Sequence, residues 1–184
     1  MRIFIFICAL LSFSFTAMAQ ETLEKLTKKD VEQFILRTTA VSSGTLSSMD
    51  STQVLDYMRL HIRDDAQFKS AMSYSMPGQE EQDNELTLTK EDFIAGLEAG
   101  TQKLKSFNTD IKIKKIKLSG DKRSAKAITE TRDEVTMPVE EGDIMENIPL
   151  EGISTCEQSL ELNEIGILQM TGANCKTKIE FQPY

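Results

Sequence analysis

The 184-residue chain has no tryptophan, one histidine, four prolines and nine glycines. So few prolines and glycines exclude a low-complexity or collagen-like chain. A single histidine makes a zinc site or an imidazole-activated nucleophile a poor interpretation. Basic residues are scarce as well, with 21 Lys and Arg against 29 Asp and Glu, so the formal charge is −8. That balance disfavours a nucleic-acid partner, and we expect neither a metal nor a cofactor.

The first 19 residues differ from the rest of the chain. Met1 and Arg2 precede an apolar run, Ile3 to Phe15, which ends in small residues before Gln20. This pattern is typical of a secretory signal peptide cleaved after Ala19. A membrane anchor is the alternative, but a spanning helix needs about 20 apolar residues. We therefore predict one domain over residues 20–184, without a transmembrane segment, in the periplasm of a Gram-negative bacterium or outside the cell.

Export changes how the three cysteines are interpreted. Cys8 would leave with the signal peptide, and Cys156 and Cys175 would remain in an oxidising compartment. An even pair in that setting favours a disulfide. A redox or metal pair is the alternative, but the spacing is not C-x-x-C. Closing this loop is worth about 3 kcal/mol in the chain-entropy model.

Capping signals and apolar periodicity predict three helices. Thr27 and Asp30 form an approximate capping box for a helix over residues 28–43. Asp50 with Gln53 begins a second helix that ends near residues 63–65, and Thr89 with Asp92 begins a third. The predicted buried face of the first helix consists of Val31, Phe34, Ile35, Thr38 and Val41.

Alternation of apolar residues predicts five strands. The first covers residues 68–76, and an acidic surface loop follows over 79–85. A strand from Thr109 to Leu118 slips at Lys114–Lys115, which indicates a β-bulge, and it is followed by a strand over 125–137. Another acidic loop is predicted over 138–152, and then a hairpin of strands 153–162 and 167–181 with a bulge near 172–174. This pairing brings Cys156 close to Cys175.

Helices concentrated before long antiparallel hairpins predict an α+β domain: three helices in the N-terminal half, packed on a curved, mostly antiparallel sheet. This element order over Thr27 to Phe181 resembles the nuclear transport factor 2-like superfamily, also called SnoaL-like or cystatin-like. The resemblance implies a cone whose mouth admits a small apolar ligand. Some members are ketosteroid isomerases or dehydratases, and others only bind or assemble.

Four side chains are candidates for a pocket inside this cone. Tyr57 and His61 lie four residues apart and project from the same face of the second helix. Tyr74 is placed on the covered side of the first strand, and Asp133 on a long strand is a conceivable base. Tyrosine and histidine at this spacing are also common in ordinary packed faces. We assign no catalytic residue.

The sequence favours an exported, non-catalytic protein that binds a small apolar ligand in the cone. One alternative is an isomerase- or dehydratase-like enzyme that acts on an apolar carbonyl compound. Another is an interaction module that docks a second envelope protein on the outer sheet face, where a lysine stripe is predicted. A homodimer through the sheet is also plausible. The stripe consists of Lys112, Lys114, Lys115 and Lys117.

Overall fold

The computed structural model describes residues 22–46, 48–75, 80–100, 106–141 and 144–181. The predicted signal peptide, residues 1–19, lies outside these ranges. The helices are α1 (Lys28–Ser42), α2 (Ser51–His61) and α3 (Lys90–Gly100). The strands are β1 (Ile62–Ser75), β2 (Gln82–Leu88), β3 (Ser106–Leu118), β4 (Ser124–Glu141), β5 (Ile144–Leu162) and β6 (Leu168–Phe181). None of the helices in the described ranges is long and apolar enough to cross a membrane.

The helices begin where the capping signals place them. Asp30 accepts a hydrogen bond from the Thr27 backbone at 2.7 Å, and Gln53 accepts one from the Asp50 backbone at 3.0 Å. Thr89 and Asp92 make the equivalent contact before α3, at 3.0 Å. These bonds satisfy amides that a helix start leaves unpaired. Helix α2 ends at His61, earlier than predicted, because Ile62 is already extended and begins β1.

The six strands form one open, mixed sheet in the order β2-β1-β6-β5-β4-β3. Among the described strands β1 and β6 pair in parallel, and the other neighbours are antiparallel. We call the helix-covered side the inner face and the opposite side the outer face. The predicted fold class, three helices packed on a mostly antiparallel sheet, is confirmed.

Both predicted acidic loops are largely strand, which corrects the sequence interpretation. Strand β2 pairs with β1 from Tyr74↔Gln82 to Phe68↔Leu88. Its side chains are exposed except at Leu88, so it lacks the alternation that marks a half-buried strand. Strands β4 and β5 pair out to Glu141↔Ile144. Their far ends carry prolines and acidic residues, which hide a strand from pattern analysis.

Two bulges bend the long hairpins. The register shift between Ile113 and Lys115 leaves Lys114 extra, which confirms the bulge predicted there. In β6, Gly172 pairs with Ser159 and Met170 pairs with Leu160, so Thr171 is the extra residue. The predicted bulge at 172–174 is therefore placed slightly too late in the chain.

The core lies between α1, α2 and the inner face. The predicted buried face of α1 is confirmed at all five positions. Met58 of α2 and Leu160 of β5 are each 1% exposed and belong to the same cluster. Fully burying such side chains contributes roughly 1.5–3 kcal/mol each. A cavity borders this cluster on the inner face, and Ile35 and Met58 belong to both.

Candidate functional site

A cavity of about 410 Å³ lies between α1, α3 and the inner face of the sheet. Its apolar side comes from β1, β2, α3 and β6. The rings of Phe68 and Phe93 stack there with centroids 4.6 Å apart. The other large apolar contributors are Leu88, Leu97 and Met170. This side suits an apolar ligand surface.

The sheet side of the cavity is polar. Inward positions on three neighbouring strands bring Thr131, Ser154 and Thr177 into one row across β4, β5 and β6. The hydroxyl oxygens of Ser154 and Thr177 are 2.9 Å apart and share a hydrogen bond. Such hydroxyls accept or donate as a ligand requires.

Asp133 is the one acidic side chain among the described residues that line the cavity. Thr109 of β3, directly opposite it, donates a hydrogen bond to Oδ1 at 2.8 Å. Burial raises the pKa of the Asp133 carboxyl above its ordinary value, and the bond from Thr109 opposes that rise. On the β5 side its partner is Gly152, which places no side chain beside the carboxyl.

The predicted disulfide between Cys156 and Cys175 is confirmed. The two cysteines are directly opposite each other on β5 and β6, and both line the cavity. Next to them, Gln158 donates a hydrogen bond to the Thr129 hydroxyl at 3.2 Å. The Gln158 carbonyl oxygen is buried and has no hydrogen-bond partner in the described part of the chain. The wall is thus covalently fixed and retains an unused acceptor just beneath its surface.

The structure brings Tyr57 and His61 together, with ring centroids 4.3 Å apart. His61 Nδ1 lies 3.0 Å from the Leu168 carbonyl and donates to it. The Tyr57 hydroxyl is 3.4 Å from the hydroxyl of Thr38, which lines the cavity. Burial lowers the pKa of His61 and raises that of Tyr57. Burial thus favours the uncharged form of each group, and both lie behind the cavity wall rather than on it.

Tyr74 lies apart from both groups. Its hydroxyl donates to Gln82 of β2 at 2.7 Å. In the sheet it occupies the same row as Asp133, with Ile179 and Gly152 between them. Three strand spacings separate the two, about 14 Å along the sheet. Of the four predicted pocket residues, only Asp133 lines this cavity.

Sequence reasoning missed the hydroxyl row and Thr109. A signal was present, because Thr109, Thr131 and Asp133 keep the inward phase of their strands. The pairing register was needed to bring them together. No group of three metal-ligating side chains occurs among the residues that the structure describes.

No protein-family model and no curated protein matches the chain. Solved structures do align with it. A conserved protein from Planctomyces limnophilus is 19% identical, covering 84% of this chain and 100% of that chain, with a TM-score of 0.52. Kfla4162 from Kribbella flavida is 13% identical over 81% and 88%, with a TM-score of 0.54.

A third similar structure is a type 2 hexachlorocyclohexane dehydrochlorinase. It is 8% identical, covers 84% of this chain and 93% of that chain, and has a TM-score of 0.51. Likeness at these identities establishes the fold and nothing finer. Together with three helices on an open six-stranded sheet, it confirms the resemblance inferred from element order. The chain therefore shares the α+β fold of these solved structures.

Proposed function

We propose that this chain is an exported protein that binds a small, largely apolar molecule in the cavity and does not transform it. The observation that carries the proposal is the cavity itself. At about 410 Å³ it lies within the range of small-molecule sites, roughly 300–1,000 Å³. Stacked rings on one side and a few hydroxyls with one carboxylate on the other fit an apolar body with a single polar end.

Binding is favoured over catalysis because Asp133 has no second acid or base beside it among the described residues that line the cavity; Lys69, the other titratable side chain there, is in register five positions away along β4. Proton transfer next to a carbonyl needs a base and also a donor that stabilises the developing oxyanion. Asp133 lines the wall, whereas Tyr57 and His61 lie behind it and are engaged with Thr38 and Leu168. The arrangement supports recognition more than it supports turnover.

Binding of N-phenyl-naphthylamine, an uncharged dye that fluoresces in apolar surroundings, tests the proposal. The wild-type chain should enhance its fluorescence saturably. Thr131→Phe fills the wall and should abolish the enhancement. Thr155→Phe places the same ring on an exposed outer position of β5 and should leave it intact. Equal binding by both variants would overturn the cavity as the site.

A second candidate is an isomerase- or dehydratase-like enzyme, favoured by the raised pKa of Asp133. A carboxylate base would exchange protons next to the carbonyl of a cyclic ketone. Exchange of cyclohexanone in deuterated water, followed by proton NMR, tests this reaction. If the protein only binds its ligand, cyclohexanone should exchange its protons at the rate measured in buffer without protein. A faster rate that Asp133→Asn removes would establish the enzyme instead.

A third candidate uses the outer face. Ile153 is 41% exposed and lines an outer groove with Lys176 and Lys178. The four residues of the predicted lysine stripe are also exposed. An envelope partner or a second copy docking there is tested by sedimentation of wild type and Ile153→Arg. A monomer in both samples, with no copurifying protein, would exclude this candidate.

Export is tested by the mass of the protein isolated from the envelope fraction. We expect a chain that begins at Gln20, with Cys156 and Cys175 oxidised. The disulfide is compatible with that compartment. A retained Met1 or a free-thiol reaction would contradict export.

A further inference from the structure

One of the two Asp133 carboxylate oxygens accepts a hydrogen bond from the protein, and the other is available to accept one from a ligand. Oδ1 accepts the hydrogen bond from Thr109. Within the described part of the chain no donor reaches Oδ2. A Cβ built on Gly152 would be 3.9 Å from the Asp133 Cβ, which is ordinary contact, so the glycine leaves the β5 side of the carboxyl open. A ligand group can occupy that space without displacing a protein partner.

No described cation neutralises this carboxylate. The nearest basic residue in sequence, Arg132, points to the outer face, where it pairs with Glu151 at 2.7 Å. Lys69 borders the cavity but is exposed and lies in register with Ile128, five positions along β4 from Asp133. An ionised carboxylate away from water is costly unless it is paired. The negative charge of the Asp133 carboxylate is therefore not balanced by any cation among the described residues.

The C-terminal end of helix α1 also contributes negative electrostatic potential to the cavity. Its last turn, at Thr39 and Ser42, borders the cavity and contains no basic residue. A helix C-terminus carries partial negative charge. Two independent features of the lining, a carboxylate on the sheet wall and a helix end without a basic residue, thus favour a cation in the cavity. The stacked rings of Phe68 and Phe93 add apolar surface elsewhere in the same cavity.

We propose that the cavity selects small apolar amines, with the protonated amino group on Asp133 Oδ2 and the apolar body inside the cavity. This inference rests on the proposed function, since it specifies the ligand class of the same cavity. A hydrogen bond between charged groups contributes about 1.5–3 kcal/mol, and 1.4 kcal/mol is tenfold in affinity. An amine should therefore bind about tenfold or more tightly than a matched alcohol.

Calorimetric titration with three ligands of one shape tests this selectivity: cyclohexylmethylamine, cyclohexylmethanol and cyclohexanecarboxylate. The amine should bind most tightly and the carboxylate least. Asp133→Asn, which retains an acceptor for Thr109, should remove the advantage of the amine and leave the alcohol unchanged. Asp110→Asn is the matched control, because it makes the same substitution at an exposed position of β3 and should keep the preference.

The possible results distinguish failure of the amine inference from failure of the proposed binding function. If the alcohol displaces N-phenyl-naphthylamine but the amine binds no better, the amine inference fails and the proposed binding function stands. If neither the dye nor any of the three ligands binds, the proposed function itself fails. A preference that persists in Asp133→Asn overturns the role of this carboxylate. Should that variant not fold, Asp133→Ser provides the same comparison.

Discussion

Strand β5 passes through two different surroundings on one face of the sheet. At one end Leu160 and Leu162 are 1% and 3% exposed and pack in the core with Ile35 and Met58. Nearer the middle of the strand, Ser154 faces the cavity. The phase of the strand is the same at both positions, so alternation alone does not decide whether an inward position is buried.

Length explains the difference. The 15 residues of α1 span about 22 Å, whereas the 19 residues of β5 span about 63 Å. A helix of this length covers only part of such a strand, and the remaining inward positions stay partly open. At the cavity the inward positions carry Ser154 and Cys156 on β5 and Thr131, Asp133 and Thr177 on its neighbours instead of large apolar residues, as a ligand cavity requires and a packed core does not. We call the two regions the packed end and the cavity end.

The largest effect expected from this comparison is at the packed end. Leu160→Ala should lower the free energy of unfolding by about 3 kcal/mol, because it leaves a void in a tightly packed cluster. For a chain of this size that corresponds to a loss of about 6–12 °C in the melting temperature. Ser154→Ala on the same strand removes one hydrogen bond, worth about 1 kcal/mol. Equal losses in thermal denaturation would mean that the two ends are not different.

The disulfide lies between the two ends and joins β5 to β6. The double variant Cys156→Ala/Cys175→Ala should lose about 3 kcal/mol, since the unfolded chain regains the freedom of the closed loop. Chemical denaturation under oxidising conditions measures this loss. Reducing agent should shift the wild type to the midpoint of the variant and should not move the variant. An unchanged midpoint would show that strand pairing alone holds this part of the sheet.

At the cavity end, Asp133→Asn should stabilise the free protein at neutral pH. The pKa of Asp133 is raised in the folded state, so its contribution is fully present below the unfolded value, about 3.9, and is lost as the pH rises through the folded value. An asparagine does not ionise, so the variant does not lose this stability as the pH rises. Its melting temperature should exceed that of wild type by a few degrees at pH 7, and the difference should vanish below about pH 4.

A matched control separates this effect from surface charge. Asp110→Asn changes an exposed carboxylate on β3, paired with Lys112 at 3.7 Å. Its melting temperature should differ little from wild type at either pH, because exposed ion pairs contribute little. If both variants behave alike, burial of Asp133 is not the cause.

Local signals predicted the packed end well, and long-range pairing limited the prediction of the cavity end. Capping boxes and helical periodicity lie within a few residues, so Thr27, Asp50 and the buried face of α1 were identified from sequence. Strand β2 was missed because it is an edge strand with polar side chains on both faces.

The same contrast between local signals and long-range pairing explains which parts of the candidate site could be predicted from the sequence. The spacing of Tyr57 and His61 fixes their proximity within one helix, and the structure brings them together. Whether they reach the cavity depends on how α2 packs against α1, which spacing does not determine. Asp133 was identified by its chemistry, but its partner Thr109 belongs to another strand and required the register.

A substitution of His61 has the smallest expected effect on stability and tests whether water is excluded from the packed end. Burial lowers the pKa of its imidazole, so the folded state disfavours the proton. Stability should be unaffected above the unfolded value of about 6.5 and should fall as the pH drops below it, until the folded value is passed. His61→Gln keeps a donor for the Leu168 carbonyl and does not titrate. Between pH 7.5 and pH 5, thermal denaturation should show a larger drop for wild type than for this variant; parallel curves would mean that water reaches the ring.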